Sequence, residues 1–303
     1  MSFINSILGA KHFPVRYLFV LLINASTLVN VIASLFVLFI LSVILHDRNN
    51  LTAANIILYL LAFSVIVSGI IIFIEIKLSF KANKLYRQGN ELFKQETVTS
   101  KIQTISIFEQ ALLLYQKTNY QIWAAITINN IGVVYNALEE KQTALDYFNQ
   151  CLNLFKKMKS VLGEAMTLNN IGLVYDALGK KQTALDYFNQ SLDLSKKIQD
   201  RESIANTLYN LAVLKYKQGN LNEALTKIES AIKIIEELET QIITTNLSKS
   251  YFATVKNYYQ FYIDLLIKLH EQNPNQGYDI KADEVSKELK NRQRNITIIS
   301  PYL

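Results

Sequence analysis

The sequence predicts an all-α protein in which a two-helix membrane hairpin is followed by a solenoid of helical hairpins and by C-terminal capping helices. Two observations predict this fold. The central region repeats with a period of 40 residues, and the ten residues 141–150 recur unchanged at 181–190. Two long uncharged stretches, 17–45 and 52–74, precede that region. Repeats of this length cannot bury their apolar faces singly, so the copies must stack on each other.

Each copy contains two apolar stripes at helical spacing, separated by a polar break. In the first copy the first stripe consists of Ile128, Ile131, Gly132 and Tyr135. The second stripe consists of Ala144, Leu145, Phe148, Cys151 and Leu152. The break carries Gly179 in the second copy and Gly219 in the third, and a helix C-terminus favours glycine because it accommodates a left-handed backbone. We therefore expect each copy to form a helical hairpin.

These stripes resemble the tetratricopeptide repeat, in which an apolar residue and Gly are followed by Tyr and then by Ala and Phe. The first copy carries this signature at Ile131, Gly132, Tyr135, Ala144 and Phe148, and the second copy carries it 40 residues later. The third copy has Lys215 in the Tyr position and Ile228 in the Phe position. The 40-residue period is similar to the long repeats of kinesin light chains and many bacterial signalling proteins. The resemblance implies a degenerate capping repeat and three full units, at 79–120, 121–160, 161–200 and 201–240.

Both uncharged stretches are long enough to be transmembrane helices, which need about 20 apolar residues. The flanking basic residues are Lys11 and Arg16 before the first stretch, and Lys77, Lys81, Lys84, Arg87 and Lys94 after the second. Because positive residues stay on the cytoplasmic side, we expect the N-terminal segment and the repeats in the cytoplasm of a bacterium, anchored in its inner membrane. A cleaved signal peptide is a poorer interpretation, because its apolar region is about 7 to 15 residues long. The predicted boundaries are 1–16 for the N-terminal segment and 17–78 for the hairpin, with spans at 17–45 and 52–76.

The composition argues against most catalytic classes. One Cys and three His provide neither a disulfide framework nor a zinc cluster, and no Gly-rich phosphate loop is present. Cys151 occupies the position held by Ser191 and Ala231 in the other copies, so we interpret it as a small packing residue. The formal charge of +6 is concentrated in the membrane flanks, which argues against a nucleic-acid partner. We expect no enzyme activity, no cofactor and no metal.

Asparagines recur in the middle of the first helix of each copy, where Asn is a poor helix former. They are Asn129, Asn130, Asn169, Asn170 and Asn210. In tetratricopeptide repeats the first helices line the concave face, and in repeats similar to those of kinesin light chains such asparagines hold the backbone of an extended peptide. The resemblance therefore implies a peptide-binding site here. The alternative is that these amides join neighbouring helices within the stack.

The C-terminal region contains a helical stripe that is expected to cap the last repeat. Its residues are Tyr251, Val255, Tyr258, Tyr262, Leu265 and Leu269. We expect capping helices at 241–294 and a tail at 295–303. The region 250–282 resembles the stretch that joins such repeats to a caspase-like CHAT peptidase in large bacterial, often cyanobacterial, proteins, and the resemblance extends over about residues 120 to 290. We expect no room for that peptidase domain after residue 292, as in a stand-alone adaptor or in a shortened gene product.

The leading functional interpretation is a membrane-anchored, non-catalytic scaffold that binds a partner peptide on its concave face. A second hypothesis is a regulatory or sensor subunit of a CHAT-type cysteine peptidase that acts in trans. A third is a structural membrane protein whose repeats self-associate. The expected partners are thus a protein or peptide and the membrane, with no nucleic acid and no small-molecule substrate.

Overall fold

The computed structural model describes residues 51–242 and 249–299 of the 303-residue chain, together with Ser34 and Leu38. These described residues form ten α-helices, one short 3-10 helix and no strand, which confirms the all-α prediction. The helices are α1 (Leu51–Phe93), α2 (Val98–Lys117), α3 (Gln121–Ala137), α4 (Lys141–Lys157), α5 (Val161–Ala177), α6 (Lys181–Lys197), α7 (Arg201–Lys217), α8 (Leu221–Ile242), α9 (Lys249–Gln272) and α10 (Tyr278–Ile299), with the 3-10 helix Pro274–Gln276 before α10.

The 40-residue period consists of two equal halves. Each helix from α3 to α7 has 17 residues and is followed by a connection of three residues, so a helix and its turn occupy 20 residues. Consecutive helices pack against each other along the chain, as expected for stacked helical hairpins. The predicted solenoid of helix pairs is thus observed.

The middle residue of each connection adopts a left-handed backbone conformation. These residues are Asn119, Glu139, Lys159, Gly179, Gln199 and Gly219, with φ between +54° and +82°. At the first break the N–H of Glu140 donates to the carbonyl of Tyr135 at 3.0 Å, a bond that satisfies an otherwise unpaired carbonyl at the helix end. The sequence predicted this conformation from the two glycines, and the structure shows it at every turn of the repeats.

A small residue on each first helix accommodates an aromatic ring from the second helix. A Cβ atom added at Gly132 would lie 2.8 Å from Cε1 of Phe148, and one added at Gly172 would lie 2.7 Å from Cδ1 of Phe188. The same contact joins α1 to α2, because a Cβ atom at Gly89 would lie 2.5 Å from Cε1 of Phe108. The helix pair before the first full repeat is therefore packed like the others.

The C-terminal helices close the last repeat. Seven buried side chains of α9 belong to the same hydrophobic core as α7 and α8, in agreement with the predicted stripe. They include Val255, Tyr258, Tyr262, Leu265, Leu266 and Leu269. The helix α10 continues to Ile299, so it contains the first five residues of the segment predicted as a tail.

The structure does not support the predicted two-span hairpin. Over the residues that it describes, no helix is long and apolar enough to cross a membrane. The segments predicted as the N-terminus, 1–16, and as the first span, 17–45, lie outside the described residues except for Ser34 and Leu38. The segment predicted as the second span, 52–76, forms the N-terminal part of α1.

Candidate functional site

A groove of about 330 Å³ lies along the first helices of the three repeats. Its walls come from α3, α5 and α7, and α9 closes it at one end through Asn257 and Tyr258. All five asparagines predicted from the sequence line this groove, namely Asn129, Asn130, Asn169, Asn170 and Asn210. The equal length of the repeats explains this arrangement, because equivalent positions of stacked hairpins face the same side.

The asparagines form a hydrogen-bonded ladder from one repeat to the next. The Nδ2 of Asn170 donates to Oδ1 of Asn129 at 2.9 Å, and the Nδ2 of Asn210 donates to Oδ1 of Asn169 at 2.9 Å. At the N-terminal end, Nδ2 of Asn130 donates to the hydroxyl of Tyr86 at 2.8 Å. The predicted alternative, amides that join neighbouring helices, is therefore present in the structure.

An aromatic pair ends the ladder at the third repeat. Tyr209 occupies the position of Asn129 and Asn169, and its ring stacks on Tyr258 with centroids 4.4 Å apart and an interplanar angle of 6°. The hydroxyl of Tyr258 donates to Oδ1 of Asn206. This contact joins α9 to α7 and fixes the end of the groove.

We call each hydrogen bond between asparagines of neighbouring first helices a rung of the ladder. The asparagines of each rung have further polar atoms on the side of the groove. Within the described part of the chain, the Nδ2 atoms of Asn129 and Asn169 make no hydrogen bond, and neither do the Oδ1 atoms of Asn130, Asn170 and Asn210. None of these atoms is a buried atom without a partner. These residues line the groove, so two amide donors and three amide acceptors are left for a ligand there, and the two interpretations of the asparagines are compatible.

Apolar side chains lie between the amides. Val133, Met166 and Leu173 line the groove, and Leu173 is 36% exposed. A surface that combines amides with exposed apolar side chains fits a polypeptide, which has both a polar backbone and apolar side chains.

One carboxylate lies in the groove near its C-terminal end. Burial raises the pKa of Glu202 above its usual range, and the nearby carboxylate of Asp200 raises this pKa further. Glu202 gives this end of the groove acidic character.

The single cysteine lies in the packed interior. The Sγ of Cys151 donates to the carbonyl of Ala125 at 3.2 Å, and in the next repeat the Oγ of Ser191 donates to the carbonyl of Ala165 at 2.8 Å. Burial raises the pKa of the Cys151 thiol to about 12, so the thiol is protonated at neutral pH. The interpretation of Cys151 as a packing residue is confirmed. Over the described residues, no group of three or more His, Cys, Asp or Glu side chains could hold a metal ion.

Several residues of the groove and of the ends of the ladder were not predicted from the sequence as part of the site. Tyr86 lies 44 residues before its partner Asn130, and Asn206 has no equivalent in the other copies. Tyr258 was predicted as a core residue of the C-terminal stripe, and it is buried as expected. Its role at the end of the groove depends on the register of α9 against α7, which no sequence pattern specifies.

Comparison with known proteins identifies the repeats. Residues 102–157 match one sequence model of the tetratricopeptide repeat, and residues 165–198 and 204–239 match a second one. No curated protein matches the chain in sequence. The similarity to the stretch before CHAT peptidases is not shown by these comparisons and stays a prediction.

Several solved structures are similar to this chain at low sequence identity. Aspartyl phosphate phosphatase F from Bacillus subtilis is similar over 80% of this chain, with a TM-score of 0.56 and 14% identity, and the chain spans 57% of its length. BtubC from P. vanneervenii is similar over 70% of this chain and 92% of its own, with a TM-score of 0.47 and 14% identity. A putative kinesin light chain from Podosopora anserina is similar over 71% and 97%, with a TM-score of 0.47 and 15% identity. The matches to the repeat models show that the chain contains tetratricopeptide repeats between residues 102 and 239, and in the structure the helices of these repeats pack consecutively as a solenoid.

Proposed function

We propose that this protein is a non-catalytic scaffold that binds an extended peptide segment of a partner protein along the groove of α3, α5 and α7. The observation that carries the proposal is the asparagine ladder. Each rung uses one amide atom to join neighbouring helices and leaves others facing the groove. The ladder holds these amides in a defined orientation, so a bound peptide does not have to order them.

The spacing of the rungs suits an extended chain. Packed helices lie about 8–10 Å apart, and an extended peptide advances about 3.3 Å per residue. A rung therefore meets the peptide backbone about every third residue. The backbone has the same N–H and C=O groups in every sequence, so the amides supply affinity without selecting a sequence.

Selectivity comes from the side chains between the rungs. Val133, Met166 and Leu173 offer apolar contacts, and Glu202 favours a cationic or neutral residue at the C-terminal end of the groove. We expect a partner segment with apolar side chains and without an acidic residue near Glu202.

The test is a capture experiment with the tagged full-length chain, followed by crosslinking and mass spectrometry of the bound proteins. Leu173→Arg places a long charged side chain in the groove without changing the ladder. Leu178→Arg is the matched control, because Leu178 is 42% exposed in the turn after the same helix and does not line the groove. We expect Leu173→Arg to lose the captured partner and Leu178→Arg to keep it. Equal capture by both variants would contradict the proposed site.

The proposal includes a membrane tether at the N-terminus. It is supported by the uncharged stretch 52–74 and by apolar side chains of α1 that remain exposed, among them Leu58, Val65 and Phe73 at 65%, 54% and 65%. The basic residues that follow would keep the repeats on the cytoplasmic side. Carbonate washing of membranes tests the tether: we expect the chain to stay in the pellet, and its release would contradict an integral anchor.

A further inference from the structure

The turns of the solenoid lie at two edges. Successive helices of stacked hairpins run in opposite directions, so every second turn lies at the same edge. The turns at 118–120, 158–160 and 198–200 form what we call the proximal edge, and those at 138–140, 178–180 and 218–220 form the distal edge. The repeat region as a whole is nearly neutral, with thirteen basic and fourteen acidic residues between 121 and 240.

The proximal edge carries a group of exposed lysines. They are Lys117, Lys156, Lys157, Lys159, Lys196 and Lys197. Within the described part of the chain, none of these six makes an ion pair. The carboxylates in the turns and first helical turns at this edge are Glu164, Asp200 and Glu202. The six lysines outnumber them and make the edge electropositive.

Most lysines near the distal edge are hydrogen-bonded or ion-paired within the protein, and the exception, Lys180, lies over the ring of Tyr175. Lys101 donates from Nζ to the carbonyl of Ala137 at 3.0 Å. Lys141 lies 2.9 Å from Glu139, and Lys217 lies 2.6 Å from Asp176. The six lysines of the proximal edge are thus exposed and make no ion pair within the described part of the chain, whereas most lysines near the distal edge bind other groups of the protein.

Helix stability alone does not explain the distribution. A lysine in the last turn of a helix is favourable because of the helix dipole. α2, α4 and α6, which end at the proximal edge, all carry such lysines, whereas α3 and α5, which end at the distal edge, carry none. α7 also ends at the distal edge, and its Lys215 and Lys217 are both ion-paired. The helix α8 also ends on the proximal side and is the exception, because its last turn carries no basic residue. The other helices have similar dipoles, so their lysines follow the edge.

The proximal edge lies beside the end of the apolar part of α1. At the first proximal turn, the hydroxyl of Tyr120 lies close to Ser79 and Glu75 of α1. One helical turn further along α1, the hydroxyl of Tyr115 donates to Oδ1 of Asn83 at 2.7 Å. The first proximal turn is thus held at the level where the uncharged stretch of α1 has just ended.

Apolar side chains are also exposed at this edge. Phe80 is 69% exposed beside Ser79, and Ile122 and Ile198 are 58% and 37% exposed at two of the proximal turns. A mixture of lysines with isolated aromatic and aliphatic side chains is typical of surfaces that lie in the headgroup region of a membrane.

We propose that the proximal edge docks on a membrane surface of anionic lipids, with its six lysines against the lipid phosphates. This inference deepens the proposed function and rests on the membrane tether. The edge would hold the solenoid on its side at the membrane, so that the groove opens parallel to the surface instead of pointing away from it. A nucleic acid could use the same lysines, but it would gain nothing from Ile122 and Ile198.

The test uses the full chain in lipid vesicles, with a fluorophore on one engineered cysteine and an acceptor dye on the lipid. The background is Cys151→Ser, because Ser191 already fills the equivalent position of the next repeat. Gln121→Cys labels the proximal edge, and Gln142→Cys labels the distal edge of the same repeat. Both glutamines are exposed and lie in the first turn of a helix, so they are matched.

Energy transfer from Gln121→Cys is expected to rise when phosphatidylglycerol is added to phosphatidylcholine vesicles, and to fall again in high salt. Transfer from Gln142→Cys is expected to be insensitive to phosphatidylglycerol. Lys156→Gln with Lys157→Gln should weaken the edge-bound state by about thirtyfold, at about 1 kcal/mol per lysine. The matched control, Lys180→Gln with Lys227→Gln, removes the same charge elsewhere and should leave the lipid effect intact.

The proposal would be overturned if energy transfer from Gln121→Cys did not depend on lipid charge. It would also be overturned if the two pairs of lysine substitutions weakened this transfer equally. Salt-dependent binding of DNA or RNA through Lys156 and Lys157, without any lipid effect, would overturn it in favour of a nucleic-acid surface. Failure of the tether is distinguishable. If carbonate releases the chain, the tether is wrong and this inference loses its basis. If the chain stays in the pellet but transfer from Gln121→Cys does not respond to phosphatidylglycerol, the tether holds and the edge proposal alone is wrong.

Discussion

The amide of Asn170 donates to the amide oxygen of Asn129, 2.9 Å away and 41 residues earlier in the chain. The same bond joins Asn210 to Asn169, so one residue pair per repeat connects each first helix to the one before it. Asparagine is unfavourable inside a helix, and the bond between repeats offsets that cost. Stability and the proposed binding site thus depend on the same side chains.

Asn129 and Asn170 are expected to show energetic coupling. In a double-mutant cycle with Asn129→Ala and Asn170→Ala, we expect a coupling of about 1 kcal/mol, because each single variant leaves the other amide without its partner. Urea unfolding of the four proteins measures it. Asn129 with Asn210 is the control pair, since these two share no hydrogen bond and their effects should add. A coupling energy of zero between Asn129 and Asn170 would contradict the ladder.

Gly172→Ala is expected to destabilise the protein by about 1 to 3 kcal/mol, because the new methyl group would lie 2.7 Å from the ring of Phe188. The third repeat has Ala212 and Ile228 at the equivalent positions, and both are fully buried. Adding Phe188→Ile to Gly172→Ala copies that pair into the second repeat, and this double variant should be more stable than Gly172→Ala alone. Thermal unfolding of the single and double variants measures this effect. If the losses of stability from Gly172→Ala and Phe188→Ile simply added, the result would argue against the contact.

Glu139→Gly is expected to stabilise the protein by about 1 kcal/mol, because Glu139 has a φ of +64°, which is costly for any residue with a Cβ atom. Gly179→Glu should cost a similar amount at the equivalent turn. The control is Glu140→Gly at the next residue, where φ is −79° and glycine brings no gain. Denaturant midpoints compare the three variants, and a stabilising Glu140→Gly would show that backbone conformation is not the cause.

Stability should depend on the ionisation of Glu202. Burial raises the pKa of this carboxyl in the folded protein, so the folded state holds the proton more tightly than the unfolded state does. The resulting stabilisation is present at low pH and is lost as pH rises from about the ordinary value of 4.5 through the folded pKa. Glu202→Gln should flatten this part of the pH profile of the free energy of unfolding. An unchanged slope would assign the effect to other groups.

Cys151 should resist alkylation at pH 8 in the folded protein. Its thiol is buried, and its pKa is raised to about 12, so very little thiolate is present. Iodoacetamide should modify it quickly in urea and hardly at all without urea, as measured by intact mass. Rapid modification of the folded protein would contradict the packing role.

The repetition made much of the fold predictable. Two nearly identical copies identify equivalent positions, so the glycine and phenylalanine contacts at Gly132 and Phe148 follow from the sequence once hairpins are assumed. The turns between repeats were harder to predict. Asn119, Lys159 and Gln199 adopt the left-handed conformation without the glycine that usually indicates it.

The site could be predicted only in part. The asparagines stand out because they recur in helices, but the sequence left open whether they join helices or face a ligand. The residues at the two ends of the ladder, Tyr86 and Tyr209, lie where the repetition fails. The stacking of Tyr209 on Tyr258 depends on packing between distant segments, which a repeat pattern does not contain.

The identity of residues 141–150 and 181–190 has an evolutionary consequence. Both segments begin at the same point of the turn and form the start of the second helix of a hairpin. Unequal crossing-over between the corresponding stretches of DNA would duplicate or delete one whole unit in frame, with no abnormal junction in the protein. Because the asparagine pair lies within that unit, such an event would lengthen or shorten the groove by one rung. The length of the peptide segment that the scaffold can bind would change accordingly.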